Sequence, residues 1–297
     1  MSKHFASFSV AVVAAATLLA APAAHAQIRT PAASPQSTIT QRIGLTDVTI
    51  VYSRPSAKGR SIFGSDNSLV PNGKRWRTGA NATTSIKFSD DVTIEGKKVP
   101  AGEYGIYTVP RPGEWTVVLN KSLKQGADVD GFKDDQDVAR FTVKPYKVAN
   151  KVESFTIAFT DLTPATANVA MEWENTGAKF KIMADVESKV MAQIDEKVIK
   201  AATPTPGDLA AAAVYYYDNN KDLKQALTWM EKANAAEPTK YWNLNTEAKI
   251  RLKMKDYKGA VTAAEASKKA ALAATPPNGD YVKMDEELIA EAKKMGK

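Results

Sequence analysis

The sequence predicts two units of different class: an all-β sandwich or barrel-like domain, then an all-α segment of helical hairpins. Three observations carry that reading. From Thr38 to Val186, apolar residues recur with period two and turn residues interrupt them at short intervals. After Val186 the apolar spacing becomes helical. A heptapeptide, Lys221-Asp222-Leu223-Lys224-Gln225-Ala226-Leu227, then recurs as Lys255-Asp256-Tyr257-Lys258-Gly259-Ala260-Val261, an offset of 34 residues.

The first 26 residues read as a cleaved signal peptide: Lys3 and His4, an apolar run from Phe5 to Ala21, then Ala24-His25-Ala26, an A-x-A cleavage pattern. The mature chain is expected to start near Gln27, to be periplasmic or secreted, and to contain no membrane span. Residues 27–37 are a Pro- and Ala-rich flexible leader. In the β domain, residues 38–186, Val48, Ile50 and Tyr52 share one face, as do Ile86 and Phe88, Trp115, Val117 and Leu119, and Phe155, Ile157 and Phe159. Val169, Met171 and Trp173 repeat the pattern, and so do Phe180, Ile182 and Ala184. Residues 121–137 form a long polar excursion, the kind of loop that often carries function. Residues 187–205 are a linking helix, with Val190, Ile194, Val198 and Ile199 on its apolar stripe, and a Pro-rich break. Thr205, Pro206 and Asp208 mark the next helix start. The helical segment occupies 206–297, with a final helix over Asp280–Lys294.

The 34-residue offset is the tetratricopeptide period. Ala226 and Ala260 are small where two antiparallel helices must approach closely. Tyr217, Leu223, Met230, Ala233 and Pro238 also fall where that repeat places packing and terminating residues. The segment therefore resembles a tetratricopeptide array, too short for independent stability and expected to pack on its surroundings. In the β domain, "YSRPSAKGRSIFG", "LVPNGKRWRTGANATT", "VPAGEYGIYTVP" and "EWTVVLN" occur in order. With them, residues 34–186 resemble the bacterial family called domain of unknown function 2911. That resemblance implies an exported β-rich domain and carries no established activity.

Composition narrows the chemistry. There is no Cys, and the two His, His4 and His25, both lie in the expected signal peptide. The mature chain thus lacks imidazole and thiol, which removes Ser-His-Asp and Cys-His catalysis and Cys/His zinc sites. No catalytic residue, metal or cofactor is assigned. Net charge is +7 for the whole chain, mildly basic, and nucleic acid is not an expected partner. The expected activity is binding or scaffolding without catalysis; the alternative is a carboxylate- or lysine-dependent hydrolase acting on an envelope or extracellular glycan.

Two groups of residues are candidate sites. Tyr52, Arg54, Lys58, Arg60, Arg75, Trp76, Arg77 and Asn81 combine guanidinium, aromatic and amide groups suited to an anionic or carbohydrate ligand. The competing reading has these arginines pinning loops through Asp47, Asp66, Asp90 or Asp91. Tyr216, Trp229, Tyr241 and Trp242 give the helical segment an aromatic density that suits a protein partner. Asp128, Asp130, Asp134, Asp135 and Asp137 lack EF-hand spacing and read as a solvated acidic loop.

Overall fold

The computed structural model describes residues 30–123, 126, 129 and 132–297. The expected signal peptide, the start of the leader, and Asp128 and Asp130 lie outside the described residues. Among the described residues, no helix is long and apolar enough to cross a membrane.

Among the described residues, twelve strands form the N-terminal portion: β1 (Gln36–Ile43), β2 (Thr46–Ser53), β3 (Phe63–Gly64), β4 (Val70–Pro71), β5 (Ser85–Phe88), β6 (Val92–Ile94), β7 (Lys97–Val99), β8 (Gly102–Arg111), β9 (Glu114–Asn120), β10 (Asp137–Val143), β11 (Tyr146–Thr160) and β12 (Thr166–Ala184). A six-stranded antiparallel sheet runs β1-β2-β5-β8-β9-β10, and a four-stranded one runs β11-β12-β6-β7. The short pair β3 and β4 is parallel and separate. No ladder joins the two larger sheets among the described residues, so the strands do not close into one barrel.

The two sheets share one core. Val48, Ile50, Ile86, Trp115, Val117 and Leu119 of the large sheet meet Phe155, Ile157, Val169, Met171, Trp173, Phe180 and Ile182 of the small one. The period-two sets are therefore the inward faces, and each fully buried aliphatic or aromatic chain contributes about 1.5–3 kcal/mol. The Val169–Trp173 and Phe180–Ala184 sets, which read as separate runs, lie on one continuous 19-residue strand, β12. Gly177 permits that continuity. It pairs with Tyr146, and a Cβ there would sit 2.5 Å from the tyrosine ring. Gly44, at φ +58°, makes the tight turn between β1 and β2.

Ser122 and Phe132 of the polar excursion lie over the outer face of β8. Tyr107 is buried there, edge-on to Phe132 at 4.7 Å, and its hydroxyl donates to the Ser122 carbonyl at 2.7 Å. The Asn120 amide ties the two ends together, donating to the Lys133 carbonyl and to Asp137, each at 2.8 Å.

Helices follow: α1 (Val186–Ile194), which continues as a π-helical turn over Asp195–Ile199, α2 (Pro206–Asp218), α3 (Leu223–Ala236), α4 (Tyr241–Lys253), α5 (Tyr257–Ala273) and α6 (Gly279–Met295). Thr205 caps α2 by accepting from the Asp208 N–H, with Pro206 in the first turn, as expected. The repeated heptapeptide places an N-cap aspartate at both copies. Asp222 accepts from the Lys224 and Gln225 N–H groups, and Asp256 from the Gly259 N–H. Ala226 and Ala260 are buried at the matching helix contacts. The linking helix joins this second core: Ile194 and Val198 pack with Leu209, Ala212, Trp229 and Met230.

Candidate functional site

Most of the arginine- and tryptophan-rich residues of the β portion are engaged by the fold itself, either by their own loop or by β11 and the segment before β10. The buried Tyr52 hydroxyl donates to the Ile157 carbonyl at 3.2 Å and accepts from the Ile157 N–H at 3.0 Å. Arg54 donates from Nε to the Phe155 carbonyl at 3.1 Å and from Nη2 to Thr156 Oγ1 at 2.7 Å. Arg60 donates to the carbonyls of Ala57 and Ser56, at 3.0 and 2.6 Å. The Lys58 N–H donates to Glu153 Oε1 at 2.7 Å. Asn81 donates to the Ser34 carbonyl at 3.0 Å, and the Arg77 carbonyl accepts from the Thr84 N–H at 3.2 Å. Trp76 is half-buried, stacked on Trp173 at 5.8 Å and 21°, with Nε1–H donating to the Gly79 carbonyl at 2.9 Å.

Arg75 does ion-pair with an aspartate, but with Asp134 at 3.0 Å, while its guanidinium lies 3.5 Å above the Phe132 ring. Three of the four aspartates expected as partners are engaged elsewhere: Asp47 with Arg42 at 2.8 Å, Asp90 with Lys189, and Asp91 with the Ala101 N–H at 2.8 Å. A guanidinium reaches a backbone carbonyl several residues or a strand away, which no spacing rule encodes. Two backbone bonds, Ala57 N–H to Glu153 O at 2.8 Å and Phe155 N–H to Pro55 O at 2.9 Å, lay this loop along the free edge of β11. The loop thereby covers an otherwise unpaired strand edge.

The helical aromatics form two pairs. Tyr216 meets the buried Trp229 edge-on at 4.8 Å, walling a hollow of about 480 Å³ with Val198, Ile199 and Gln225. Tyr241 contacts Trp242 at 4.9 Å and Tyr281 at 4.8 Å, and Trp242 remains 43% exposed.

A larger concavity of about 820 Å³ lies where the β portion meets the helices. Its β wall comes from β6, β7 and the end of β12, including Val92, Lys98, Val99 and the exposed Met183. Its helical wall comes from the start of α1 and the end of α2, including Glu187, Tyr215, Asn219 and Lys221. Local sequence builds the corner. Asp185 ends the strand and caps α1 by accepting from the Ser188 N–H at 3.1 Å. Lys221, in the turn after α2, reaches back to Glu187 at 2.6 Å, and Lys189 pairs with Asp90. The hydrogen bond with Ser188 holds the Asp185 carboxyl below the usual range, helped by the charges of Lys189 and Lys98. Burial pushes the Tyr215 hydroxyl up, against the opposing charge of Lys221.

Such a lining offers an apolar floor with a few convergent charged and hydrogen-bonding groups at a junction of two units, the usual setting of a small-molecule site. An ionised Asp185 accepts hydrogen bonds and is a poor proton donor, so the corner is suited to holding a ligand. Sequence reasoning missed this site because the β6–β7 part of its lining lies roughly 90 to 130 positions from the helical wall along the chain. Within its lining, Asp91 was legible as a possible arginine partner and Lys221 as part of the repeated heptapeptide, neither as a site.

A family profile described as protein of unknown function (DUF2911) matches residues 34–182. No curated protein and no solved structure matches the chain significantly. The match ends inside β12, so the β wall of the junction concavity lies largely within it and the helical wall beyond it. With half of its length matched in this way, the chain belongs to the DUF2911 family.

Proposed function

We propose that this is an exported, non-enzymatic binding protein of the bacterial envelope, periplasmic or secreted after cleavage near Ala26. It holds a small ligand in the junction concavity and engages a protein partner through tetratricopeptide-like hairpins. The observation that carries the reading is the concavity itself, about 820 Å³, with Lys98 and Met183 on one wall and Tyr215 and Lys221 on the other. The hairpin assignment rests on the matched N-caps at Asp222 and Asp256 and the buried Ala226 and Ala260. Export rests on the pattern of the first 26 residues. The Arg/Trp loops serve as the braced base of the β portion rather than as its ligand site.

The glycan-hydrolase reading draws on Asp91, Asp185 and Glu187, which line the same concavity. Asp91 and Asp185 accept backbone N–H groups and Glu187 holds Lys221. A general acid needs a raised pKa, and Asp185 is shifted the other way.

The test uses 1-anilinonaphthalene-8-sulfonate, an apolar ring system with one anionic group. The mature protein is expected to give saturable fluorescence that Met183→Trp abolishes and Lys98→Ala weakens, with thermal stability unchanged in both. Equal fluorescence titrations in all three proteins would refute the site.

A further inference from the structure

The last helix is fastened by a polar contact. Small residues, Ala248, Ala263 and Ala264, pack with Leu288 and Ile289 around it. At its centre lie Asp285 of α6 (0% exposed), Asn245 of α4 (1%) and Ser267 of α5 (0%). The Asn245 amide donates to Asp285 Oδ1 at 2.7 Å. The Ser267 hydroxyl donates to the Tyr241 carbonyl, 2.9 Å away, and lies close enough to Asp285 to interact with its carboxyl. Asp285 Oδ2 is buried without a hydrogen-bond partner among the described residues.

An ionised carboxylate is badly served there. One oxygen has a single donor, the other has none, and burying an unmatched charge is strongly unfavourable. A proton on Oδ2 resolves the arrangement. The acid then donates to the Ser267 oxygen, Ser267 donates to the Tyr241 carbonyl, and Asn245 satisfies Oδ1. The charged and titratable groups that act on Asp285 are Lys249 on α4, Lys268 on α5 and Tyr281 on α6. Lys268 is already paired with Glu286 at 2.6 Å. Burial outweighs the Asn245 and Ser267 hydrogen bonds and the charges of the two lysines, and raises the Asp285 carboxyl above its ordinary 3.8.

We propose that Asp285 is a proton-operated latch that seats α6 on the α4–α5 hairpin. Protonated, it closes the hydrogen-bond chain through Ser267. Ionised, it loosens α6 and bares the small apolar stripe around Ala263 and Ala264, the face on which a further helical hairpin would stack. The sign follows from linkage. A group whose docked pKa is raised stabilises docking fully below its undocked pKa, near 3.8, and that contribution is lost as pH rises to the docked value.

Hydrogen exchange of the full chain, corrected for intrinsic rates between about pH 5 and about pH 8, reads the opening of α6. The opening constant is expected to rise by up to about tenfold per pH unit until Asp285 ionises in place. In Asp285→Asn, which keeps the shape and adds a donor, the corrected opening should be flat with pH. In parallel, carbon-13 NMR of the wild-type Asp285 carboxyl should show a midpoint above those of the exposed aspartates. The proposal is overturned if that midpoint falls among them, or if the asparagine variant keeps the wild-type pH slope. Should the variant not fold, the wild-type titration decides alone.

Discussion

Replacing Trp76 separates the two readings of the arginine- and tryptophan-rich loops most sharply. The indole stacks on Trp173 at 5.8 Å and meets Phe155 at 5.0 Å and Phe63 at 6.0 Å, and its Nε1–H donates to the Gly79 carbonyl. Removing a buried Trp to Ala costs about 3–5 kcal/mol, and the half-buried Trp76 belongs at the lower end, ~3 kcal/mol. About 1 kcal/mol of that is the hydrogen bond, so Trp76→Phe should lose distinctly less than Trp76→Ala. For a unit of this size each kcal/mol moves Tm by roughly 2–4 °C, giving a fall of about 6–12 °C for the alanine variant. Thermal unfolding followed by circular dichroism at the β-sheet band reads it directly. A Trp76→Ala protein whose Tm stays within about 2 °C of wild type would show that the indole is not a core brace. The site would then have to be sought again in the loops.

Two further outcomes follow from the helical half. Ala226→Leu and Ala260→Leu force a larger side chain between helices that touch at fully buried alanines, so each should destabilise the helical region by about 1–3 kcal/mol in urea unfolding. Asp256 has its pKa lowered first by the Gly259 N–H and then by the Arg251 guanidinium. Its contribution is therefore present above the unfolded value near 3.8 and lost as pH falls through the lower folded one. Helical stability measured by Tm should thus fall more steeply with acid in wild type than in Asp256→Asn.

Much of the architecture was legible because it is periodic. Val48, Ile50 and Tyr52 announce a strand with one buried face whatever lies opposite, and the core holds all three. Thr205-Pro206 and the repeated Lys-Asp carry their helix starts within four residues, and all three caps form. The chemistry of the arginines was not legible. Residue type told that Arg54, Arg60 and Arg75 need oxygen partners, while the choice of the Phe155 carbonyl, the Ala57 carbonyl and Asp134 depends on which loops the fold brings alongside.

Alternation, capping and the 34-residue repeat act over a few neighbouring positions or between like segments, and so are written in the linear chain. The sequence by itself therefore determined the change from strands to helices at Val186, the inward faces, the helix starts and the absence of cysteine. The junction concavity and the buried Asp285 exist only where distant elements meet. Lys98 comes to face Lys221, and Asp285 to touch Asn245 and Ser267, through packing that fixes distance and dielectric together. Those two quantities set ligand shape and proton affinity, and only the tertiary structure decides them.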